Sequence, residues 1–111
     1  MITIKLSRNP ENMSMRLEVS GHAGQAEMGK DIVCSAVSIL TYTLAATIEG
    51  MELDKQADHV EVKLESGDAV IQAHCRDSKA FDSMTQALHV IGTGYRLIEQ
   101  NYPEYVQVIK A

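Results

Sequence analysis

Two periodicities alternate along the chain. Residues 2–6 (ITIKL) predict a short strand, and Asn9, Pro10 and Asn12 supply turn chemistry after it. From 13 to 20 the pattern has period two. Met13, Met15, Leu17 and Val19 fall on one side, and Ser14, Arg16, Glu18 and Ser20 on the other, as in a half-buried strand. These two segments make a hairpin. Residues 21–30 (GHAGQAEMGK) hold Gly21, Gly24 and Gly29 and read as a mobile loop.

From Asp31 the period changes. Val33, Val37, Leu40, Leu44 and Ile48 recur in steps of three and four, with Ile32, Ala36 and Ile39 widening the stripe. The pattern predicts an amphipathic helix from an Asp31 N-cap to about Glu49, with Gly50 as its stop. A second hairpin follows. Residues 59–65 put Val60, Val62 and Leu64 inward, Ser66-Gly67-Asp68 form the turn, and 69–75 return. Ser78 caps a longer helix over about 79–101, whose stripe is Phe81, Met84, Leu88, Ile91, Tyr95 and Ile98. Gly92 and Gly94 lower its propensity by about 1 kcal/mol each, a cost consistent with close packing there. Pro103 stops it, and 105–109 form a last strand. The order β-β-α-β-β-α-β predicts an α+β fold: a two-layer sandwich in which two helices cover one face of a mixed or antiparallel sheet. With 111 residues, the chain is expected to form a single domain over 1–111.

Charge narrows the function classes. The net charge is −5 and no Lys/Arg cluster occurs, so direct nucleic-acid binding is not expected, whereas a basic protein substrate would be attracted. The segment MITIKLSRNPEN lacks a signal peptide's apolar stretch, and no window reads as a run of about 20 apolar residues. A cytoplasmic protein without a membrane span is the expectation. In that compartment Cys34 and Cys75 read as free thiols rather than a disulfide.

Chemistry concentrates between Gly21 and Ser38 (GHAGQAEMGKDIVCSAVS). An Asp31 cap puts Cys34 in the first helical turn, where free amides and the positive end of the dipole favour a thiolate and can hold an oxyanion. The Asp31 carboxylate opposes that effect. His22, twelve residues earlier in the glycine-rich loop, can fold back as a base for the thiol. Spacing alone leaves the bland reading open, a core thiol and a loop histidine. His59, His74 and His89 do not combine with Cys75 into a metal site. The adjacent pair His74-Cys75 lacks zinc-ligand spacing, and His59 and His74 sit on different strands, so no metal or cofactor is expected.

The full string resembles the ribosomal-processing cysteine protease family, Prp. The matching elements are Gly21-His22-Ala23, Gly29, Asp31-Ile32-Val33-Cys34 and Ala36-Val37-Ser38. Ser35 stands where the family usually has alanine, a small-for-small change. Length, element order and a tyrosine-bearing second helix extend the resemblance over nearly the whole chain. It implies a bacterial cysteine endopeptidase that removes the N-terminal extension of a large-subunit ribosomal protein (the twenty-seventh), cutting before a small residue. Cys34 would be the nucleophile and His22 the general base and acid. The resemblance also implies a homodimer and a glycine-rich loop that rearranges with substrate. Asp31 and Ser38 are supporting candidates; a plain helix cap and a helix-face hydroxyl are their alternatives. Two other functions remain: a non-catalytic ribosome-assembly or chaperone-like module that holds a basic ribosomal protein, and a redox sensor at Cys34.

Overall fold

A computed structural model of the chain describes residues 1–22 and 28–110, with the side chains of 28–31 and 110 outside the description. Seven elements follow in the expected order: β1 (Ile2–Asn9), β2 (Ser14–Ser20), α1 (Met28–Leu53), β3 (Ala57–Glu65), β4 (Asp68–Cys75), α2 (Ser78–Asn101) and β5 (Val106–Lys110). The strands form one mixed sheet in the order β3-β4-β2-β1-β5. Only the β1–β5 pair is parallel. The fold is α+β.

Alternation decides which face of the sheet is covered. Ile2 and Ile4, then Met15, Leu17 and Val19, then Ala69, Ile71, Ala73 and Cys75 all point into the core under the helices. The other face is polar. There Arg16 pairs with Glu18 at 2.7 Å and with the amide of Gln72 on the neighbouring strand. Strand β3 departs from the expected pattern: Val60 and Val62 are half-buried and Leu64 is exposed. It is an edge strand, and Lys63, bonded to Asp68 at 2.6 Å, puts charge along it.

Both helices form as expected, α2 within one residue of its expected ends, whereas α1 extends beyond both of its own. The first begins at Met28 rather than after an Asp31 cap, and it runs through Gly50 to Leu53. Its buried face is Val33, Val37, Thr41, Leu44, Ala45, Ile48 and Met51, while Ile32 and Ile39 of the expected stripe face outward, 51% and 61% exposed. Thr41 is buried because its hydroxyl is satisfied. It donates to the Val37 carbonyl at 2.8 Å and meets the Tyr95 hydroxyl at 2.7 Å. Leu40 instead lies over Gly94, where a Cβ would come within 2.8 Å of it, and Gly92 faces Leu6. The two helical glycines thus admit close packing, as their cost implied. In α2 the cap is Asp77, whose carboxylate accepts from the Ala80 amide at 2.9 Å; Ser78 is already helical.

One sequence reading needs correction. Ile32–Leu53 is 22 residues with mean hydropathy 1.6, long and apolar enough to cross a membrane by length and composition. In this fold its inner stripe is core, packed with the sheet and α2.

Candidate active site

The start of α1, the end of β2 and the β3–β4 turn enclose a cleft of about 290 Å³. Cys34, Ser38 and Tyr42 line one wall at helical spacings of four, which stacks them on a single face of α1. Cys34 is exposed to the cleft. Its neighbours Val33 and Val37 are buried and fix the orientation of that face. Ile2, Val19, Val37 and Thr41 supply apolar and hydroxyl contacts at the base. Leu64 to Ala69, with His22, form the far side.

His22 follows β2 directly, and backbone contacts hold it. The Met1 amine donates to the His22 carbonyl at 2.8 Å, and the Gly21 amide donates to the Gly67 carbonyl at 3.0 Å. Gly21 has φ +92° and lies so close to the Met1 carbonyl that a Cβ would overlap it at 2.3 Å. Gly67 has φ +74°, and a Cβ there would stand 2.3 Å from His22 Nε2. Both positions take left-handed backbone that favours glycine, and neither has space for a Cβ. Gly21 is therefore part of a tight backbone contact beside β1.

The expected site residues divide as follows. Cys34, His22 and Ser38 come to one cleft. Asp31 lies within α1 and does not cap it, and its side chain is outside the description. Gly29 is in the first turn of α1, and Gly24 lies outside the described residues. Because the helix starts at Met28, Cys34 is its seventh residue, beyond the first turn. Its amide belongs to the i→i−4 ladder and is not one of the free N-terminal donors, and the dipole's effect has largely decayed there. Tyr42, Thr41 and Gly67 were missed as site residues. Ser66-Gly67-Asp68 reads from sequence as a hairpin turn, and nothing local shows that His22 packs against it. Glu65 and Asp68 also lie on that side, both paired with Lys63, at 3.8 and 2.6 Å.

Cys75 sits apart. It is fully buried, its thiol contacts Met84 Sδ at 3.5 Å, and burial, with Asp58 and Asp77 behind it, pushes its pKa up. It is an inert thiol, and both cysteines are free. Sequence reasoning separated His59 from His74 because they lie on different strands. The register pairs Asp58 with His74, so the hairpin instead brings Asp58, His59 and His74 together.

A family comparison places the chain as a whole. The model of the family described as cysteine protease Prp matches residues 1–107. The chain belongs to the Prp family of cysteine proteases. Solved structures agree in fold. The ribosomal processing protease Prp of S. aureus, in complex with a covalently linked product peptide, superposes with a TM-score of 0.74 at 22% identity, over 100% of both chains. The same protease with a substrate peptide gives 0.72 at 20% identity, again over 100% of both chains. SMU.848 from Streptococcus mutans gives 0.69 at 24% identity, covering 99% of this chain and 93% of that one. No curated protein matches the chain. As a Prp-family member the chain is a cysteine protease, and Cys34 is the exposed one of its two thiols.

Proposed function

We propose that Cys34 is the nucleophile and His22 the general base and acid of this protease. The observation that carries the reading is that an exposed thiol and an imidazole from separate elements line one cleft with room for a peptide. His22 takes the Cys34 proton, and the thiolate adds to the scissile carbonyl to give a tetrahedral oxyanion. Collapse breaks the C–N bond as His22 returns the proton to the leaving amine. Water, deprotonated by His22, then hydrolyses the thioester and restores the thiol. Ser38, one turn beyond Cys34, is placed to contact the substrate or the imidazole.

The proposed substrate is the precursor of a large-subunit ribosomal protein, the twenty-seventh, and the reaction removes its N-terminal extension in the cytoplasm before ribosome assembly. Ribosomal proteins are basic, and the net charge of −5 favours a cationic partner. The S. aureus relative was solved with a substrate peptide and with a covalently linked product peptide, which supports a peptide in the corresponding cleft.

The reading includes a homodimer. The α2 stripe is spent inside the chain's own core. Ile32, Ile39, Ala46 and Leu53, spaced by seven on the outside of α1 with Tyr42 between them, offer an apolar seam suited to a second copy of the same helix.

The test is incubation of the full-length precursor with the enzyme and mass determination of the products. A single cut that releases the extension before a small residue supports the substrate. Cleavage of unrelated proteins at equal rate, with the precursor not preferred, contradicts it.

A further inference from the structure

The open end of the β3–β4 hairpin carries a cluster that the protease reading does not use. Asp58 Oδ1 lies 2.8 Å from His59 Nδ1 and 2.9 Å from His74 Nδ1, so one carboxylate oxygen meets two imidazole nitrogens. One ligand atom from each residue falls within 4.8 Å of the others. The two rings stand edge to face with centroids 6.1 Å apart and do not block each other.

The backbone is bent to make this arrangement. Asp58 pairs with His74 across the hairpin, but the register shifts between Asp58 and Glu61, and His59 takes φ +49°. That conformation is disfavoured for a residue with a side chain. Regular pleating would send Asp58 and His59 to opposite faces of the sheet. The bulge instead brings the His59 ring back to the carboxylate of its neighbour.

We propose that Asp58, His59 and His74 form a binding site for a divalent transition-metal ion, with Zn²⁺ the natural occupant. Two imidazole nitrogens and one carboxylate oxygen suit Zn²⁺ far better than Mg²⁺ or Ca²⁺, which prefer all-oxygen shells. Metal–ligand bonds of about 2.0–2.2 Å need only a small spreading of the three atoms, and water completes the tetrahedron. Each Nδ1 must give up any proton it shares with Asp58, so binding releases protons and weakens in acid. The chain's net charge of −5 adds a general attraction for cations. Cys75, adjacent in sequence, is not a ligand because its thiol is buried in the core beside Met84. An ion here ties the first turn of the edge strand to the end of β4, at the opposite end of the hairpin from Gly67 and His22.

A thiol and an imidazole in the catalytic cleft also attract Zn²⁺, so the measurement is made on Cys34→Ala protein. Calorimetric titration with Zn²⁺ at neutral pH is expected to show one site per chain and to raise the melting temperature as the site fills. Adding His74→Ala or, separately, Asp58→Asn to that background is expected to weaken the affinity at least about tenfold and remove the thermal shift, with the circular dichroism of the metal-free proteins unchanged. His59→Ala, which removes one of the two imidazole ligands, is expected to do the same. No binding up to about 1 mM Zn²⁺, or equal affinity in the His74→Ala and Asp58→Asn proteins, overturns the proposal. Neither result depends on peptidase activity.

Discussion

The imidazole of His22 fills the space that a side chain on Gly67 would occupy, with Nε2 2.3 Å from the position of its Cβ. The β3–β4 turn is therefore a seat for the proposed base. Any Cβ at 67 must push the ring aside. Gly67→Ala adds backbone strain at φ +74°, but Gly67→Asn adds little, because asparagine tolerates left-handed backbone. Both substitutions are expected to lower kcat/KM at least about tenfold, as a misplaced base does. Equal loss in the two variants, with the asparagine protein melting close to wild type, marks displacement of His22 as the cause. Full activity in Gly67→Asn contradicts it.

Tyr95 and Thr41 form the buried polar contact between the helices. Burial raises the Tyr95 pKa from 10.0 to about 12, with the hydrogen bond shared with Thr41 acting weakly the other way. A raised folded-state pKa means that the native chain holds the proton longer than the unfolded one. The associated stability is complete below pH 10 and is lost as pH rises to about 12, in all roughly 3 kcal/mol. Absorbance at alkaline pH should show one phenol ionising last, a component missing from Tyr95→Phe. Thr41→Val should cost about 1–3 kcal/mol in denaturant unfolding, because it strands the Tyr95 hydroxyl. Adding Tyr95→Phe to it should cost less than the sum of the two.

Asp77 caps α2, and the Ala80 amide holds its carboxyl below the ordinary value, with Arg76 and Lys79 assisting. A depressed pKa contributes stability that is present above 3.8 and lost as pH falls through the folded value. Asp77→Ala should melt below wild type at neutral pH, while Asp77→Asn retains most of the cap. The gap between wild type and Asp77→Ala should narrow in thermal melts below pH 3.8.

The α1 seam gives a prediction about assembly. Ile39 is 61% exposed in the isolated chain. Ile39→Glu should shift the mass measured by light scattering from dimer to monomer while leaving the far-ultraviolet spectrum unchanged. A dimer that survives this substitution places the interface elsewhere.

The architecture was legible because its strands keep strict alternation where they are half-buried, as Met15, Leu17 and Val19 do. The exception, Leu64, lies on an edge strand, whose exposure is set by topology rather than by pattern. Helix ends were less legible. Asp31 and Ser78 are good cap types, yet α1 starts earlier and Asp77 takes the second cap, because neighbouring residues compete for one role. On α1, hydrophobicity misled in both directions. Ile39 is outside, whereas Thr41, polar by composition, is inside because a tyrosine 54 residues away satisfies it. In the candidate site, Cys34, His22 and Ser38 lie in one short stretch of sequence, and all three line the same cleft. Gly67 and the Asp58–His59–His74 cluster exist only through strand register, which no short window of sequence displays.

Whether Cys34 and His22 act as nucleophile and base is read from cleavage of a peptide spanning the extended N-terminus of the ribosomal protein. Wild type, Cys34→Ala and His22→Ala are each incubated with it under reducing conditions, and the products are weighed by mass spectrometry. Wild type alone is expected to make one cut, before a small residue. A peptide left intact by all three proteins, yet bound tightly, would contradict it and favour a binding module; cleavage by Cys34→Ala would show that the nucleophile is another group.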